Sequence, residues 1–335
     1  MNYDICSLGS ALVDVTFQID DNFSNVLLNK GIQKGGMTLI EKEDQNNLIE
    51  GLTDEGKSSQ KACGGSSTNS IVAASLFGSN CFMGCIVAND DNGKFYLEDL
   101  TANNVSHSST LVQSDIPSGQ CLVMISDDAE RTMCTNLGIN SEFSPDNVDE
   151  DIIKNSKYLF LEGYLVASPE GFESYKKAIS LAKIHDTKVA ISLSDPFIVS
   201  AFKEELKELI EIKCDIIFCN GDEASEFADS KDEEQILNFF RNYSPNLLIT
   251  KGSEGCSGYD QDGLVNAPGL EVQAIDTNGA GDMFAGAVLN GLNQSKSLEE
   301  SANFGCFAAS KIVQNSGPRL TKNEYLEIKE TFSSY

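Results

Sequence analysis

The chain has 335 residues, 41% of them hydrophobic and 22% charged, an ordinary balance for a globular protein and ample length for a sizeable core. Its 24 basic and 51 acidic residues give a formal net charge of -27 with no run of Lys or Arg, which argues against nucleic acid or an anionic membrane as a partner. Any anionic ligand must then be held by local donors and a metal, against the overall field. Two histidines, His107 and His185, and ten cysteines without a C-x-x-C pair leave neither a zinc cluster nor a Ser-His-Asp arrangement to build on. Reduced, buried thiols in a cytosolic enzyme fit this pattern.

The N-terminal "MNYDICSLGSALVD" lacks a basic segment followed by an apolar core, and no apolar stretch approaches the ~18 residues that span a bilayer. A cytoplasmic protein is expected. "LVDVTFQID" at 12–20 alternates apolar and polar residues, the pattern of a half-exposed strand. "CGGSSTNSIVAASLFG" at 63–78 is a Gly-Gly turn feeding a helix of small residues, and "GQCLVMISDDAERTMCTNLG" at 119–138 reads as two strands around a turn. These β segments suit a small sheet standing off a main body, as a cover over a site.

From residue 157 onward strands and helices alternate. "KYLFLEG" is a strand, 169–186 a helix, "KVAISLSD" a strand, 200–212 a helix, "CDIIFCN" a strand, and helices at 221–228 and 233–243 precede the strand "PNLLITKG". Strands this continuously apolar belong in a mostly parallel sheet with helices on both faces. No linker or charge run interrupts the sequence, so one α/β domain spanning 1–335 is expected.

"AIDTNGAGDMFAGAVLNGL" at 274–292 carries the sharpest local signal. A strand reaching Ile275 and a helix starting near Ala280 would leave free backbone N–H groups at the junction, an anion site backed by the helix dipole. Gly279 and Gly281 let a ligand approach the backbone closely. Asp282 is either a first-turn helix acid or a general base beside a phosphoryl group. No G-x-x-x-x-G-K-[ST] occurs, and the glycines do not form the dinucleotide fingerprint after a first strand. A nicotinamide-dependent dehydrogenase is therefore not supported.

With "CGGSSTNSIVAASLFG" and "DTNGAGDMFAGA" in that order, the chain resembles the ribokinase-like (PfkB) sugar and nucleoside kinases. "SSTNS", "RTMCTNLG" and "EGYLVASPEG" resemble its adenosine-kinase-like branch most. The resemblance implies a three-layer α/β/α fold with a mostly parallel central sheet and a small β-sheet lid, from segments of about 12–40 and 107–137. It implies ATP-dependent phosphorylation of a primary hydroxyl on a nucleoside or a ribose- or fructose-type sugar. A homodimer through an apolar outer face of the lid is a further expectation, and a non-catalytic binding relative is the alternative.

The resemblance also implies roles. Asp282 would take the acceptor's proton, and the backbone at Gly279, Ala280 and Gly281 would form the anion hole. Asp14 would accept hydrogen bonds from two sugar hydroxyls, with Gly35, Gly36, Gly64, Gly65 and Asn69 lining the same pocket. Arg131 would reach phosphate or the acceptor, its plainer role being a salt bridge, and Glu162 would be a substrate-side acid. Thr250, Gly252 and Gly255 would lie at the nucleotide. Asn220 and Glu223, in "CNGDEASEF", would serve Mg²⁺, although an Asn with Glu three residues on is equally a capping box. Cys306 stands where many relatives carry a histidine beside the nucleotide. Some relatives also bind K⁺ through carbonyls near 276 and 312–317.

Overall fold

The structure, a computed structural model, describes residues 3–108, 111–128 and 130–333. Nine strands form one large sheet in the order Leu264–Pro268, Gly255–Tyr259, Leu247–Thr250, Ile216–Asn220, Lys188–Ser192, Ser156–Glu162, Tyr3–Leu8, Cys81–Gly84, Val105–His107. Pairing is parallel from Leu247–Thr250 to Val105–His107, and the first two strands are antiparallel additions. The continuously apolar strands are buried on both faces, and two large clusters of aliphatic and aromatic side chains fill the layers between sheet and helices. The chain leaves Tyr3–Leu8 in both directions, so the order reverses between this strand and Ser156–Glu162. A reversal of this kind opens a crevice at the carboxyl ends of the strands.

Five strands make the second sheet, in the order Met37–Leu39, Arg131–Asn136, Gly119–Ile125, Leu12–Gln18, Ser59–Gly64. Its two faces follow the two-residue period of a strand. Leu122, Met124 and Cys134 point away from the large sheet into a core completed by Phe23, Leu27, Leu48 and Leu52 of the helices Asp21–Asn29 and Lys42–Asp54. Their neighbours Cys121, Val123, Met133 and Thr135 face the crevice. The outer face that would pair with a second copy is thus already covered by the chain's own helices, whose exposed surface includes Val26 and Leu28.

Several expectations differ from the structure. No strand runs to Ile275: the last strand ends at Pro268, residues 269–279 are irregular, and Ile275 is exposed. Its backbone N–H donates across to Val313 O at 2.7 Å instead of into a sheet. The helix expected over 200–212 is two, Pro196–Ala201 and Lys203–Ile212, broken at Phe202. Residues 105–107 join the edge of the large sheet, and Leu111–Val112 pairs with Val87–Ala88, apart from the small sheet. In the expected turn at 126–130, residue 129 lies outside the described residues, as do 109 and 110 within the 107–137 segment. All ten cysteines are buried and unpaired, and no helix among the described residues is long and apolar enough to cross a membrane.

Candidate active site

Between the small sheet and the strand ends lies a cavity of about 530 Å³. One wall is the small sheet, presenting Leu12, Asp14 and the inward residues named above. The floor carries Glu162, Asn220 and Thr250 from the ends of three large-sheet strands, together with Gly279, Gly281 and Asp282. The short helix Pro196–Ala201 adds Phe197, Ile198 and Ala201 on the far side. A smaller cavity of about 230 Å³ adjoins it, sharing Thr250, Gly281 and Phe284. It contains Gly252, Gly255, Ala280 and Cys306 and is otherwise lined by small and apolar side chains.

Asp282 sits in the first turn of the helix Ala280–Asn293, half-buried at the cavity floor. Ser66 Oγ donates to its Oδ1 at 2.6 Å and Asn69 Nδ2 to its Oδ2 at 2.8 Å. Both donors belong to the first turn of the helix Ser66–Leu76, whose entry is set by Gly65 at φ +90°. A Cβ at Gly65 would lie 2.5 Å from Ser10 O. Loss of water raises the Asp282 pKa, while the two donated hydrogen bonds and the nearby Arg319 guanidinium oppose that rise. A carboxyl so placed holds a proton more readily than a surface aspartate, as a proton acceptor requires.

Three further acids share the cavity. Burial, opposed by Arg319 and Arg131 and reinforced by Asp282, pushes Asp14 up to about 7. Glu162 accepts from Ser67 N at 3.0 Å and Ser10 N at 3.4 Å, yet burial still raises it to about 7. Burial also raises Glu223 to about 7, with Asp195, Asp222 and Asp282 adding to the effect. No Lys or Arg is among the described residues that line the cavity.

Asn220 and Glu223 form a complete capping box. Asn220 Oδ1 accepts from Glu223 N at 2.8 Å, while the Glu223 carboxylate accepts from Asn220 N at 3.0 Å and Asn220 Nδ2 at 2.6 Å. Among the described residues no group of three or more His, Cys, Asp or Glu side chains is placed to hold a metal ion. Gly64, Gly35, Gly36 and Arg131 do not line the main cavity. Gly64 lies beneath Asp14, where a Cβ would meet Asp14 Oδ1 at 2.4 Å. Gly35 N donates to Thr132 Oγ1 at 3.2 Å and Gly36 O accepts from Met133 N at 2.9 Å, so this pair anchors the turn into Met37–Leu39. Arg131 is ion-paired with Asp276, which also accepts from Gly317 N at 2.7 Å and Asn278 N at 2.9 Å.

At the start of the helix Ala280–Asn293 the glycines divide their work. Gly279 adopts φ +76°, and a Cβ there would lie 2.5 Å from Pro318 O, so it is required by the turn itself. A Cβ at Gly281 would meet nothing within 4 Å, and the same holds at Gly252. These two glycines leave open space beside backbone amides that have no intrahelical partner at a helix start. That cradle, opening onto an uncharged side cavity, fits a polyphosphate carrying a flat heterocyclic base.

Sequence reasoning missed Arg319. Its Nε donates to Asn69 Oδ1 at 2.7 Å and its Nη1 pairs with Asp99. A signal was available, since the chain has only three arginines, 131, 241 and 319. Arg241 stacks over Tyr259, and the other two act on the acids of this cavity.

A family model described as "pfkB family carbohydrate kinase" matches residues 34–324. Adenosine kinase 2 of Arabidopsis thaliana is 26% identical over 346 residues, covering 94% of this chain and 96% of the relative. Two solved structures superpose with a TM-score of 0.90 at 28% identity. They are a probable sugar kinase protein from Rhizobium etli CFN 42, covering 100% of this chain and 99% of that one, and the adenosine kinase from Sinorhizobium meliloti, covering 99% and 100%. The fold is therefore ribokinase-like, and the likeness extends along both chains.

Proposed function

The chain belongs to the pfkB family of carbohydrate kinases, phosphotransferases with an alcohol acceptor, and within it we propose an ATP-dependent kinase for the primary hydroxyl of an uncharged nucleoside. The observation that carries the acceptor choice is the lining of the large cavity. Four carboxylates and no Lys or Arg among the described lining residues disfavour an anionic sugar acid. The wall of Leu12, Met37, Val123, Met133 and Leu137, facing Phe197 and Ile198, offers a nucleobase an apolar slot larger than a pentose or hexose needs. The relatives named adenosine kinase support the same reading.

In this reading Asp14 accepts from the two ribose hydroxyls and turns the CH₂OH group toward Asp282. The acceptor oxygen attacks the γ-phosphorus as its proton passes to a free lone pair of the Asp282 carboxylate. The bond from the γ-phosphorus to the bridging oxygen breaks, and ADP leaves. First-turn amides at Gly281 and Asp282 hold the charge on the transferred group, with no side chain in the way at Gly281. The base of ATP occupies the smaller cavity beside Cys306. Mg²⁺, when bound with ATP, neutralises phosphate charge while keeping most of its waters. Because both oxygens of Glu223 already accept from Asn220, this pair would meet those waters rather than enclose the ion. The small sheet acts as a lid that excludes water from the phosphoryl group.

The test is ADP release from ATP and Mg²⁺ against a panel of nucleosides and sugars. K⁺ is included because the 276 loop and residues 313–317 lie hydrogen-bonded side by side. Turnover with a purine nucleoside and little with ribose or fructose supports the proposal. Preferred turnover of a free sugar rejects the acceptor. Thermal stabilisation by ATP with no turnover on any acceptor makes the chain a non-catalytic binder.

A further inference from the structure

We propose that Arg319 is a positioning residue for Asp282, acting through the carboxamide of Asn69 with Asp99 as its anchor. Asn69 lies between the two, accepting from Arg319 Nε at 2.7 Å and donating from Nδ2 to Asp282 Oδ2 at 2.8 Å. Only one orientation of the carboxamide satisfies both contacts. Reversed, its oxygen would face the carboxylate and its NH₂ would face the guanidinium N–H. A guanidinium is always charged and never accepts, so Arg319 fixes Asn69 as a donor toward Asp282. Asp99 and the surrounding protein in turn fix Arg319, whose side chain is 13% exposed. Ser66 takes the other oxygen, so each oxygen of Asp282 is oriented by one donor and keeps a lone pair for an incoming proton.

The arrangement has an electrostatic consequence. Asp282 is faced by Asp14 from the small sheet, Glu162 at the end of its strand and Tyr164 just beyond it, Glu223 across the floor and Tyr325 from the C-terminal helix. Arg319 is the cation in that set. Without it, three neighbouring acids and burial all favour the protonated form of Asp282, which cannot accept a proton. Arg319 therefore both aims the carboxylate and favours its ionised form against burial. The inference extends the proposed base role, but the contact itself is independent of turnover.

The experiment follows the carboxyl of Asp282 directly, by ¹³C NMR of aspartate-labelled ligand-free protein, with Asp282→Asn identifying the resonance. The paired variant Arg319→Met with Asp99→Asn removes both charges, so that neither is left buried alone. Its Asp282 midpoint should rise by about one pH unit or more, a tenfold change in proton affinity. The acid limb of kcat/KM should move upward with it. Arg319→Lys retains the charge but lacks the Nε donor to Asn69, so it should shift both readouts in the same direction by less. An unchanged midpoint in the paired variant overturns the proposal, and if that variant does not fold, an unchanged midpoint in Arg319→Lys overturns it. Should Asp282→Asn turn over like the native enzyme while the midpoint still follows Arg319, the base role falls and the positioning role stands.

Discussion

Arg131 reaches from the small sheet to the carboxylate of Asp276, at the head of the loop that leads into Asp282. This ion pair ties the lid to the anion loop. Asp276 is braced independently by Gly317 N and Asn278 N, so the loop does not depend on the arginine for its shape. The resemblance implies that this guanidinium reaches the phosphate or the acceptor, and to do so it would have to release Asp276. Arg131→Gln should then lower kcat by about 10²-fold, the cost of removing one donor to a developing charge, in addition to a fall in melting temperature from leaving Asp276, 7% exposed, without its cation. A fall in melting temperature with kcat retained would make the pair purely structural.

Asp14 makes the cavity costly when empty. Burial raises it to about 7, so the folded state binds a proton there that the unfolded chain, with an ordinary pKa near 4, releases. The stabilising contribution is complete below about pH 4 and is lost as pH rises through about 7. Glu162 and Glu223 are raised to about 7 and have the same sign. The ligand-free protein should therefore gain stability as pH falls from 8 to 5.5. Asp14→Asn should raise the melting temperature at pH 8, much less at pH 5.5, and should raise KM for the acceptor. Even one unit of that shift is worth about 1.4 kcal/mol. An Asp14→Asn variant no more stable than the native protein at pH 8 would contradict the assignment.

Gly279 and Gly281 should respond oppositely to the same change. Gly281 lies in a helix with open space at its Cβ position. Gly281→Ala should stabilise the ligand-free protein by roughly 0.5–1 kcal/mol while weakening stabilisation by ATP. Gly279→Ala, at φ +76° and against Pro318 O, should destabilise the fold outright. Thermal melts with and without ATP and Mg²⁺ read both effects.

The smaller cavity can be filled without touching the acids. Cys306 is buried on its wall, and Cys306→Phe would place a ring in a space of about 230 Å³. Stabilisation by ATP should be lost and stabilisation by adenosine retained. An unchanged response to ATP would place the nucleotide elsewhere.

Much of this architecture was legible in the sequence, for definite reasons. Strands such as Leu247–Thr250 and Ile216–Asn220 are apolar up to their last residue because helices cover both their faces, and that pattern survives without neighbours. The two glycine-bearing helix starts were legible because their backbone needs are local. Ser59–Gly64 was not legible. Its first four residues are exposed, so this edge strand of the small sheet shows no alternation to read. The strand expected before Asp276 failed because Ile275 looks like a strand end, while its hydrogen-bond partner, Val313, is distant in sequence. Arg319 was missed for a related reason. Its chain to Asp282 runs through Asn69, 250 positions away, and only the folded chain brings them together.

The most direct test of the central claim is acceptor-dependent ADP release by Asp282→Asn beside the native protein, with binding of ATP and nucleoside measured on both. The variant should keep both affinities within a few-fold and lose turnover by about 10³-fold or more, the range for removing a general base together with its charge. Turnover within tenfold of the native rate, with binding intact, would contradict the assignment of Asp282 as the group that takes the proton.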